Sequence, residues 1–210
     1  MKQYEKIENI FKRSTDGSKK VLEGEYRLEL IAYLKDSLWE FSEKIDGMNI
    51  RVMWDGHKVS FAGRTDRALL PHNLVERLQE LFSGEENETI FEQLFGAQET
   101  ILFGEGFGGK IQNGHGYSNK EDFVLFDVCI EDTYLSRDEV RDIAMAFGID
   151  DVPVCHIGTL KEGVELVKTK ITSAYGDQVI EGFVARPLIE LQDKYGNRAI
   201  VKIKVSDFEH

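Results

Sequence analysis

Two lysines near the end of the chain have a spacing that could bind phosphate. Lys202 and Lys204 alternate with apolar residues in the segment VKIKV, which places both ammonium groups on one face of a strand. Adjacent ammonium groups repel each other unless an anion lies between or above them. The pattern indicates either a polyphosphate clamp or the solvated face of a half-buried strand.

Three further side chains could take part in phosphate or metal chemistry. Lys44, in SEKIDGMNI, lies beside two acids and a glycine, a setting that suits a tuned nucleophile. Glu105 in ILFGEGF and Glu181 in IEGFVARP are lone carboxylates in apolar, strand-like surroundings next to glycines. Each carboxylate could bind a metal ion or a ribose, or could be an ordinary surface acid at a strand end.

The glycine-rich segment 103–118 imitates two nucleotide-binding motifs. Gly104 to Gly109 satisfies GxGxxG, and Gly104 to Lys110 spells most of a P-loop. Both motifs require a helix after the glycines, and a P-loop requires a hydroxyl residue after its lysine. Position 111 is isoleucine, and the following QNGHGYS does not favour a helix, so we reject both interpretations.

Several extended segments could position the candidate residues. Asp55-Gly56 is a hairpin turn dipeptide between two runs of strand-like sequence. The segments predicted to be strands are 49–54, 57–63, 99–107, 123–130 and 178–205, the last with a turn at Gly196-Asn197. The run 123–130 is almost entirely apolar and is therefore predicted to be buried.

Helical spacing and capping motifs predict four helices. Apolar residues recur at helical spacing over 73–82 and 90–95. Ser136 with Glu139, and Thr159 with Glu162, have the spacing of capping boxes. The helices that they open are predicted to end near Gly148 and Gly176. Hairpins with interspersed helices and no regular βαβ alternation indicate an α+β class.

The composition is that of a globular domain with restricted basic surface. The 210 residues are 41% hydrophobic and 30% charged, without a membrane-length apolar run or a secretory signal, so we expect a cytoplasmic protein. Cys129 and Cys155 lie in apolar stretches and are expected to be reduced thiols. A net charge of −12 implies that any nucleic-acid contact is local, with segments 1–20 and 186–204 as the basic candidates.

Taken in order, the candidate segments resemble the covalent nucleotidyltransferase superfamily of ATP-dependent DNA ligases, RNA ligases and mRNA capping enzymes. The matching segments, in the family's order, are Lys44-Ile45-Asp46-Gly47, Phe61-Ala62-Gly63-Arg64-Thr65, Leu102-Phe103-Gly104-Glu105-Gly106, Phe126-Asp127, Glu181-Gly182-Phe183-Val184 and Lys202-Ile203-Lys204. Asn49 and Arg64 match a pairing typical of nick-sealing RNA ligases. Asp46 stands where some nick-sealing RNA ligases carry histidine, so the choice between RNA and DNA stays open.

The resemblance implies a fold and a domain organisation. The fold is the α+β adenylation-domain fold of ligases and capping enzymes, with antiparallel sheets flanked by helices. We expect one nucleotidyltransferase domain over residues 1–210, with a motif-bearing core at 43–204 and an N-terminal extension, 1–36, packed on it. The sequence ends six residues after Lys204, so we expect no OB-fold or other C-terminal domain.

The resemblance also implies an ATP-dependent RNA ligase. Lys44 would attack the α-phosphate of ATP and expel pyrophosphate, AMP would pass to a 5′-phosphate end, and a 3′-hydroxyl would then displace AMP. Only a neutral amine can begin this sequence. We expect Mg²⁺ or Mn²⁺ near Glu105 and Glu181 to favour the neutral amine, helped by Lys202 and Lys204.

The family's motifs assign roles to individual positions. Lys202 and Lys204 would neutralise the α-phosphate, and Glu181 would bind metal. The residues that would contact the nucleotide are Glu43 near the adenine, Ile45 beside the nucleophile, Asn49 and Arg64 at the ribose or the 5′-phosphate end, Glu105 at the ribose and Phe126 stacked on the base. His57 and His115 receive no role and are interpreted as loop or surface residues.

Two other functions remain open at this point. One is a GTP-dependent capping-type guanylyltransferase, and the other is a non-catalytic nucleotide- or 5′-end-binding module. The expected partner is a nucleic acid with 5′-phosphate and 3′-hydroxyl ends, RNA in preference to DNA. A protein partner could supply the accessory domain that the sequence lacks.

Overall fold

The computed structural model describes residues 2–112 and 116–209, and its contacts divide the chain into two compact units. The first unit consists of Met1–Glu5 and Asp46–Val152, and the second of Lys6–Ile45 and Pro153–His210. The division passes between Ile45 and Asp46, inside the K-x-D-G segment. The assignment of the whole chain to one nucleotidyltransferase domain stays a prediction.

The described residues form thirteen strands and five α-helices, followed by a 3-10 turn at Val205–Asp207. In chain order they are β1 (Glu8–Asn9), β2 (Phe11–Arg13), β3 (Val21–Tyr26), α1 (Glu29–Tyr33), β4 (Trp39–Glu43), β5 (Met48–Trp54), β6 (Val59–Gly63), α2 (His72–Phe82), α3 (Glu85–Phe95), β7 (Thr100–Phe107), β8 (Asp122–Ile130), β9 (Thr133–Tyr134), α4 (Arg137–Phe147), β10 (Asp150–Asp151), β11 (Val154–Gly158), α5 (Leu160–Lys168), β12 (Gly182–Pro187) and β13 (Val201–Lys204).

The first unit is a six-stranded sheet with helices packed against it. The strand order is β10-β8-β7-β5-β6, with β9 paired to β8, and β10 is the strand that runs parallel to its neighbour. Helix α2 buries Leu74, Leu78 and Phe82, which recur every four residues and therefore share one face. These side chains join buried residues of α3, α4, β5, β7 and β8 in one apolar core.

The second unit is a five-stranded sheet in the order β1-β13-β12-β4-β11. Strand β1 runs parallel to β13, and the other pairs are antiparallel. Helix α5 buries Leu160, Val164 and Val167 against apolar side chains of β4, β12 and β13. Strands β2 and β3 form a separate antiparallel pair. Strand β13 carries Lys202 and Lys204, and Glu181 directly precedes β12.

Local sequence signals account for several of these elements. Asp55 accepts backbone N–H bonds from His57 and Lys58, both at 2.9 Å, and so closes the β5–β6 hairpin. Gly56 has a φ of +93° and lies against the backbone of Ala97, a conformation and a space that exclude a larger residue. Both predicted capping boxes are present and open α4 and α5. The mixed α+β class is confirmed.

Several boundaries differ from the sequence predictions. Helix α3 begins at Glu85, before the predicted segment 90–95. Helix α5 ends at Lys168 rather than near Gly176, because Lys170 adopts a left-handed φ of 57° and Ile180 then donates its N–H to the Ile171 carbonyl at 3.1 Å. The predicted strand region 178–205 contains the shorter strands β12 and β13, with an isolated bridge between Gln192 and Arg198 at the predicted turn.

The structure of the glycine-rich segment agrees with the rejection of both nucleotide-binding motifs. Gly104 and Gly106 lie inside β7, so they do not open a helix. His115, interpreted as a loop or surface residue, lies outside the described residues. Across the two described ranges, no helix has the length and apolar character to cross a membrane.

Candidate functional site

Lys44 lies directly after β4, an internal strand of the second unit's sheet. Its backbone N–H donates to the Gly182 carbonyl at 2.9 Å, which continues the pairing of β4 with β12 by one residue. Its side chain is 24% exposed, and its ammonium donates a hydrogen bond to the Glu181 carboxylate. The fold therefore fixes the backbone of this lysine and leaves its side chain partly exposed beside a carboxylate.

Glu181 binds two of the predicted lysines at once. One carboxylate oxygen accepts from Lys44, and the other lies 2.5 Å from the Lys204 ammonium. The Glu181 carbonyl also accepts from the Val205 N–H at 3.0 Å, which anchors the residue to the end of β13. Strand pairing thus brings together three predicted residues that are far apart in the sequence.

Lys202 adds a third cation on the same face of β13. Val201 and Ile203 are buried while Lys202 and Lys204 are half-buried, so the predicted alternation is confirmed. Burial lowers the pKa of Lys202, and the ammonium groups of Lys204 and Lys44 lower it further. No carboxylate in the described part of the chain forms an ion pair with Lys202. The local excess of positive charge favours an anion site over a plain solvated face.

Glu43 is buried and hydrogen-bonded to residues of the second unit. Its carboxylate accepts from the Ser173 hydroxyl at 2.5 Å and from the Ala174 N–H at 2.9 Å. Ile45 is also buried, at 3% exposed. Burial, and secondarily the charge of Glu43, raises the pKa of the Cys155 thiol to about 11. The role of Ser173 was missed because it lies 130 residues from Glu43 and carries no sequence motif.

The remaining half of the K-x-D-G segment is anchored within the first unit. The Asp46 N–H donates to the Tyr117 hydroxyl at 2.9 Å. Gly47 lies so close to β7 that a Cβ there would meet the Glu105 Cγ at 2.9 Å and the Gly106 backbone closer still. The glycine of this motif is therefore required by the close approach of two backbone segments.

Asn49 and Glu105 are direct cross-strand partners in the first unit. They face each other across the β5–β7 pair, so their side chains share one face of the sheet. The Asn49 Oδ1 is buried and has no hydrogen-bond partner in the described ranges. Arg64 follows the end of β6 and is exposed. The sheet therefore brings together two of the predicted nucleotide-contacting residues, and it leaves Arg64 open to solvent.

Phe126 occupies an irregular position in β8. Phe103 pairs with Asp127 and Gly104 pairs with Leu125, so Phe126 is the extra residue of a β-bulge, a feature that can re-aim a side chain. Its ring packs edge-on against the ring of Tyr4, and the two ring centroids lie 4.9 Å apart. Tyr4 in turn donates its hydroxyl to Asp127 at 2.5 Å. The contact with Tyr4 was missed in the sequence because no local pattern links these positions.

The carboxylates fit a metal ion that is also bound by phosphate. Within the described residues, no group of three or more His, Cys, Asp and Glu side chains could hold a metal ion by itself. Mg²⁺ is typically held by one or two carboxylates together with substrate phosphates. Glu181, whose side chain is 20% exposed among lysines, suits such shared binding. Glu105 belongs to the first unit and Glu181 to the second, and their joint metal role stays a prediction.

Comparison with known proteins places the chain in a family. The family model described as RNA ligase matches residues 37–204. The chain belongs to the RNA ligase family. Among curated protein sequences, no significant match was found.

Solved RNA ligase structures from Naegleria gruberi share the fold. A variant with AMP and Mn has a TM-score of 0.64 at 18% identity, covering 83% of this chain and 52% of that chain. Another variant, with ATP and Mn, has a TM-score of 0.69 at 17% identity, covering 97% of this chain and 56% of that chain. The predicted nucleotidyltransferase fold is confirmed, and the chain spans about half the length of these relatives.

Proposed function

We propose that this chain is the nucleotidyl-transfer part of an ATP-dependent RNA ligase, in which Lys44 carries AMP. One observation carries the proposal: Lys44 and Lys204 hold opposite oxygens of the same carboxylate, Glu181. A candidate nucleophile, an acid and a further cation therefore meet at one point. Membership of the RNA ligase family supports RNA, rather than DNA, as the nucleic acid.

The first reaction is the transfer of AMP from ATP to Lys44. A bond forms between the Lys44 Nζ and the α-phosphorus, and the bond from that phosphorus to the oxygen bridging the β-phosphate breaks. Pyrophosphate departs with the electron pair, and the amine proton passes to solvent. Lys202 and Lys204 stabilise the negative charge on the phosphate oxygens during this displacement.

Lys44 needs to lose a proton before it can attack. While the ammonium donates to the carboxylate, it has no lone pair available for phosphorus. Glu181, with Glu105 as a second candidate, would hold Mg²⁺ or Mn²⁺. The bound metal supplies positive charge to the phosphate oxygens.

Residues of the first unit would contact the nucleoside and the RNA end. Phe126 presents a half-buried ring at the bulge, which suits stacking on adenine. Glu105 and Asn49 share a sheet face and could bind ribose hydroxyls. Arg64 is exposed and carries the bidentate donor group that suits a 5′-phosphate.

The later steps would join RNA ends. AMP would pass from Lys44 to a 5′-phosphate, and a 3′-hydroxyl would then displace AMP. Because the chain spans about half the length of the N. gruberi ligases, we propose that a further domain or a protein partner contributes to sealing.

Transfer of label from α-labelled nucleotide tests the first step. The protein is incubated with labelled ATP, or with labelled GTP in parallel, plus Mg²⁺ or Mn²⁺, and is then separated by denaturing electrophoresis. We expect covalent label from ATP in the wild type and in Lys161→Ala, an exposed-lysine control in the same unit, and none in Lys44→Ala. Label from GTP alone indicates a capping-type enzyme. No label from either nucleotide indicates a binding module.

A chase of the labelled protein tests the choice of nucleic acid. After removal of ATP, labelled protein is mixed with 5′-phosphorylated RNA or with DNA of the same sequence. We expect label to move to RNA faster than to DNA. Equal transfer to both would refute the RNA preference while leaving the lysine chemistry intact.

A further inference from the structure

A buried arginine holds the loop that follows β6, residues 64–67. The Arg51 side chain is fully buried in the first unit. Its Nε donates to the Gly63 carbonyl at 2.8 Å, and a terminal nitrogen donates to the Asp66 carboxylate at 2.6 Å. These two acceptors lie immediately before Arg64 and two residues after it. Because a planar guanidinium has several fixed donors, Arg51 can hold both acceptors at once and fix the loop between them.

The loop also has a defined backbone of its own. The Ala68 N–H donates to the Thr65 carbonyl at 3.1 Å, which closes a turn with Asp66 and Arg67 at its centre. A Cβ at Gly63 would lie 2.7 Å from the Ala68 methyl group, so the chain returns close to the end of β6. The absence of a side chain at this glycine permits that close approach. The loop is therefore exposed but ordered by its contacts.

The turn presents two arginines to solvent. Arg64 and Arg67 are both exposed. Neither guanidinium has a hydrogen-bond or ion-pair partner within the ranges that the structure describes. Arg141, an exposed arginine of the same unit, is by contrast paired with Asp138 at 3.3 Å. Both loop arginines therefore keep all their donors for a ligand, and a guanidinium suits the paired oxygens of a phosphate.

The loop carries net positive charge in an acidic protein. Asp66 is the single acidic residue of segment 56–75, in a chain that has 38 acids. Its carboxylate is bound by Arg51, and the hydrogen bond and charge of Arg51 lower the Asp66 pKa. The acid of the loop is thus compensated by a buried cation. The charges of Arg64 and Arg67 are left to attract an anion.

The loop leaves the sheet beside residues that are candidates for nucleotide contact. Gly63 pairs with Ile50, so Arg64 follows beside Asn49 of the neighbouring strand. Asn49 faces Glu105 across the β5–β7 pair. Under the proposed function, Asn49 and Glu105 contact the ribose of AMP, and the RNA 5′-phosphate has to approach the same AMP. The loop therefore begins where an RNA end would meet the nucleotide.

We infer that the 64–67 loop, held by Arg51, binds two consecutive phosphates at the 5′ end of an RNA strand. Arg64 binds the terminal phosphate, and Arg67 binds the phosphodiester that follows it. The inference deepens the proposed function and rests on it. Arg67 lies outside the matched family motifs and is a new RNA contact. Arg51 is a positioning residue, because it acts through the loop and not on the RNA.

Removal of one charge from the protein tests the contact of Arg67. Labelled lysyl-AMP protein is prepared first, so the assay begins with AMP transfer to 5′-phosphorylated RNA. Arg67→Gln should raise the KM for this RNA by about fivefold, because an exposed charge pair is partly screened. Arg141→Gln, the same charge change at another exposed arginine of the unit, should keep the wild-type KM. An equal rise in both variants would indicate general attraction and overturn the inference.

An RNA with one neutral linkage identifies the phosphate that Arg67 binds. The first internucleotide phosphodiester is replaced by an uncharged methylphosphonate, and the 5′-phosphate is kept. The wild-type KM should rise by about fivefold with this RNA. Arg67→Gln should show no further rise, since the pair is already broken. A wild-type KM that ignores the neutral linkage, or losses that add in Arg67→Gln, would overturn the inference.

Two changes at Asp66 test the positioning role of Arg51. Asp66→Ala removes the acceptor that Arg51 holds, and it also makes the loop more positive. General attraction alone predicts a lower KM for RNA, whereas a loop released from Arg51 should raise the KM by about threefold. Asp66→Asn keeps an oxygen for Arg51 and should return the KM to the wild-type value or below. A KM in Asp66→Ala at or below that of the wild type refutes the positioning role.

Direct RNA binding separates this inference from the proposed function. Fluorescence anisotropy measures the affinity of the full chain for the same RNAs without ATP, and thermal unfolding establishes that each variant is folded. We expect Arg67→Gln to bind RNA more weakly than wild type and Arg141→Gln. If the wild type takes no label from ATP while this difference persists, the proposed function fails and the phosphate site stands. Normal labelling with equal RNA affinity in Arg67→Gln and wild type overturns the site alone.

Discussion

Glu181 couples two lysines that have different tasks in the proposed reaction. It holds the Lys44 ammonium through one oxygen and Lys204 through the other. Removal of its charge would leave the ammonium groups of Lys44 and Lys204 without their shared carboxylate and would remove the main candidate metal ligand. A neutral residue here should therefore impair the chemistry much more than the fold.

Glu181→Gln should lower the rate of lysyl-AMP formation by about 100-fold or more, a loss comparable to that of a group that stabilises transition-state charge. The measurement is the initial rate of labelling from α-labelled ATP, with thermal unfolding recorded in parallel. Glu25→Gln, a change at an exposed glutamate of β3, serves as the control. A labelling rate within twofold of wild type in Glu181→Gln would remove this carboxylate from the mechanism.

Cys155 should react slowly with alkylating reagents because its thiolate is scarce. Burial, and secondarily the charge of Glu43, raises its pKa from 9.0 to about 11. The thiolate is the nucleophile, so alkylation by iodoacetamide near pH 8 should be roughly 100-fold slower than for an unperturbed thiol. The rate should increase with pH up to about 11.

The time course is followed by mass spectrometry, with the unfolded protein as the reference rate. Cys155→Ser identifies the modified site, since Cys129 is fully buried. Rapid alkylation of Cys155 at pH 8 in the folded protein would contradict the assigned environment.

At the scale of elements, the two capping boxes fix where α4 and α5 begin. The Glu139 carboxylate accepts from the Ser136 N–H at 2.8 Å, and the Glu162 carboxylate accepts from the Thr159 N–H at 2.7 Å. Ser136→Ala or Thr159→Ala should each lower the free energy of unfolding by about 1 kcal/mol, because each leaves helix N–H groups without a protein acceptor.

Urea denaturation of the single variants measures this loss, with Ser60→Ala, at an exposed strand position, as the control. The two boxes lie in different units, so their effects should add in the double variant. An unchanged free energy of unfolding in both cap variants would show that hydrogen bonds to water replace these hydrogen bonds without loss of stability.

Local signals explain why much of the element pattern could be predicted from the sequence. A capping box and a turn dipeptide act over three or four residues, and both appear in the structure as predicted. The end of α5 was mispredicted because it depends on Ile180 bonding back to Ile171, beyond the local helical pattern. The Phe126 bulge depends on the register between β7 and β8, which neither strand encodes alone.

The geometry of the candidate site was likewise predictable from the sequence only in part. The shared face of Lys202 and Lys204 follows from strand alternation and was predicted. Their relation to Glu181 depends on which strands become neighbours in the sheet. The family resemblance named Glu181, but no spacing in the sequence could reveal that one carboxylate binds two lysines.

At the scale of the whole molecule, the chain is acidic although lysines surround its candidate nucleophile. The net charge is −12, and many of the basic side chains are paired with acids, as Arg77 is with Glu80 and Asp122. Long-range attraction to RNA should therefore be weak, since most counterion release comes from unpaired cations that reach phosphates. Contact with RNA should involve only a few cations.

Affinity for 5′-phosphorylated single-stranded RNA should therefore depend weakly on salt. Three to five phosphate contacts give a slope of log affinity against log salt of roughly −2 to −3.5. Arg64→Gln should reduce the magnitude of the slope by about 0.7, because it removes one contact. Lys161→Gln, at an exposed lysine outside the basic candidate segments, should leave the slope unchanged. Fluorescence anisotropy over a range of salt concentrations gives the slopes. A wild-type slope twice as steep would require basic contacts spread across the molecule, which its charge distribution does not provide.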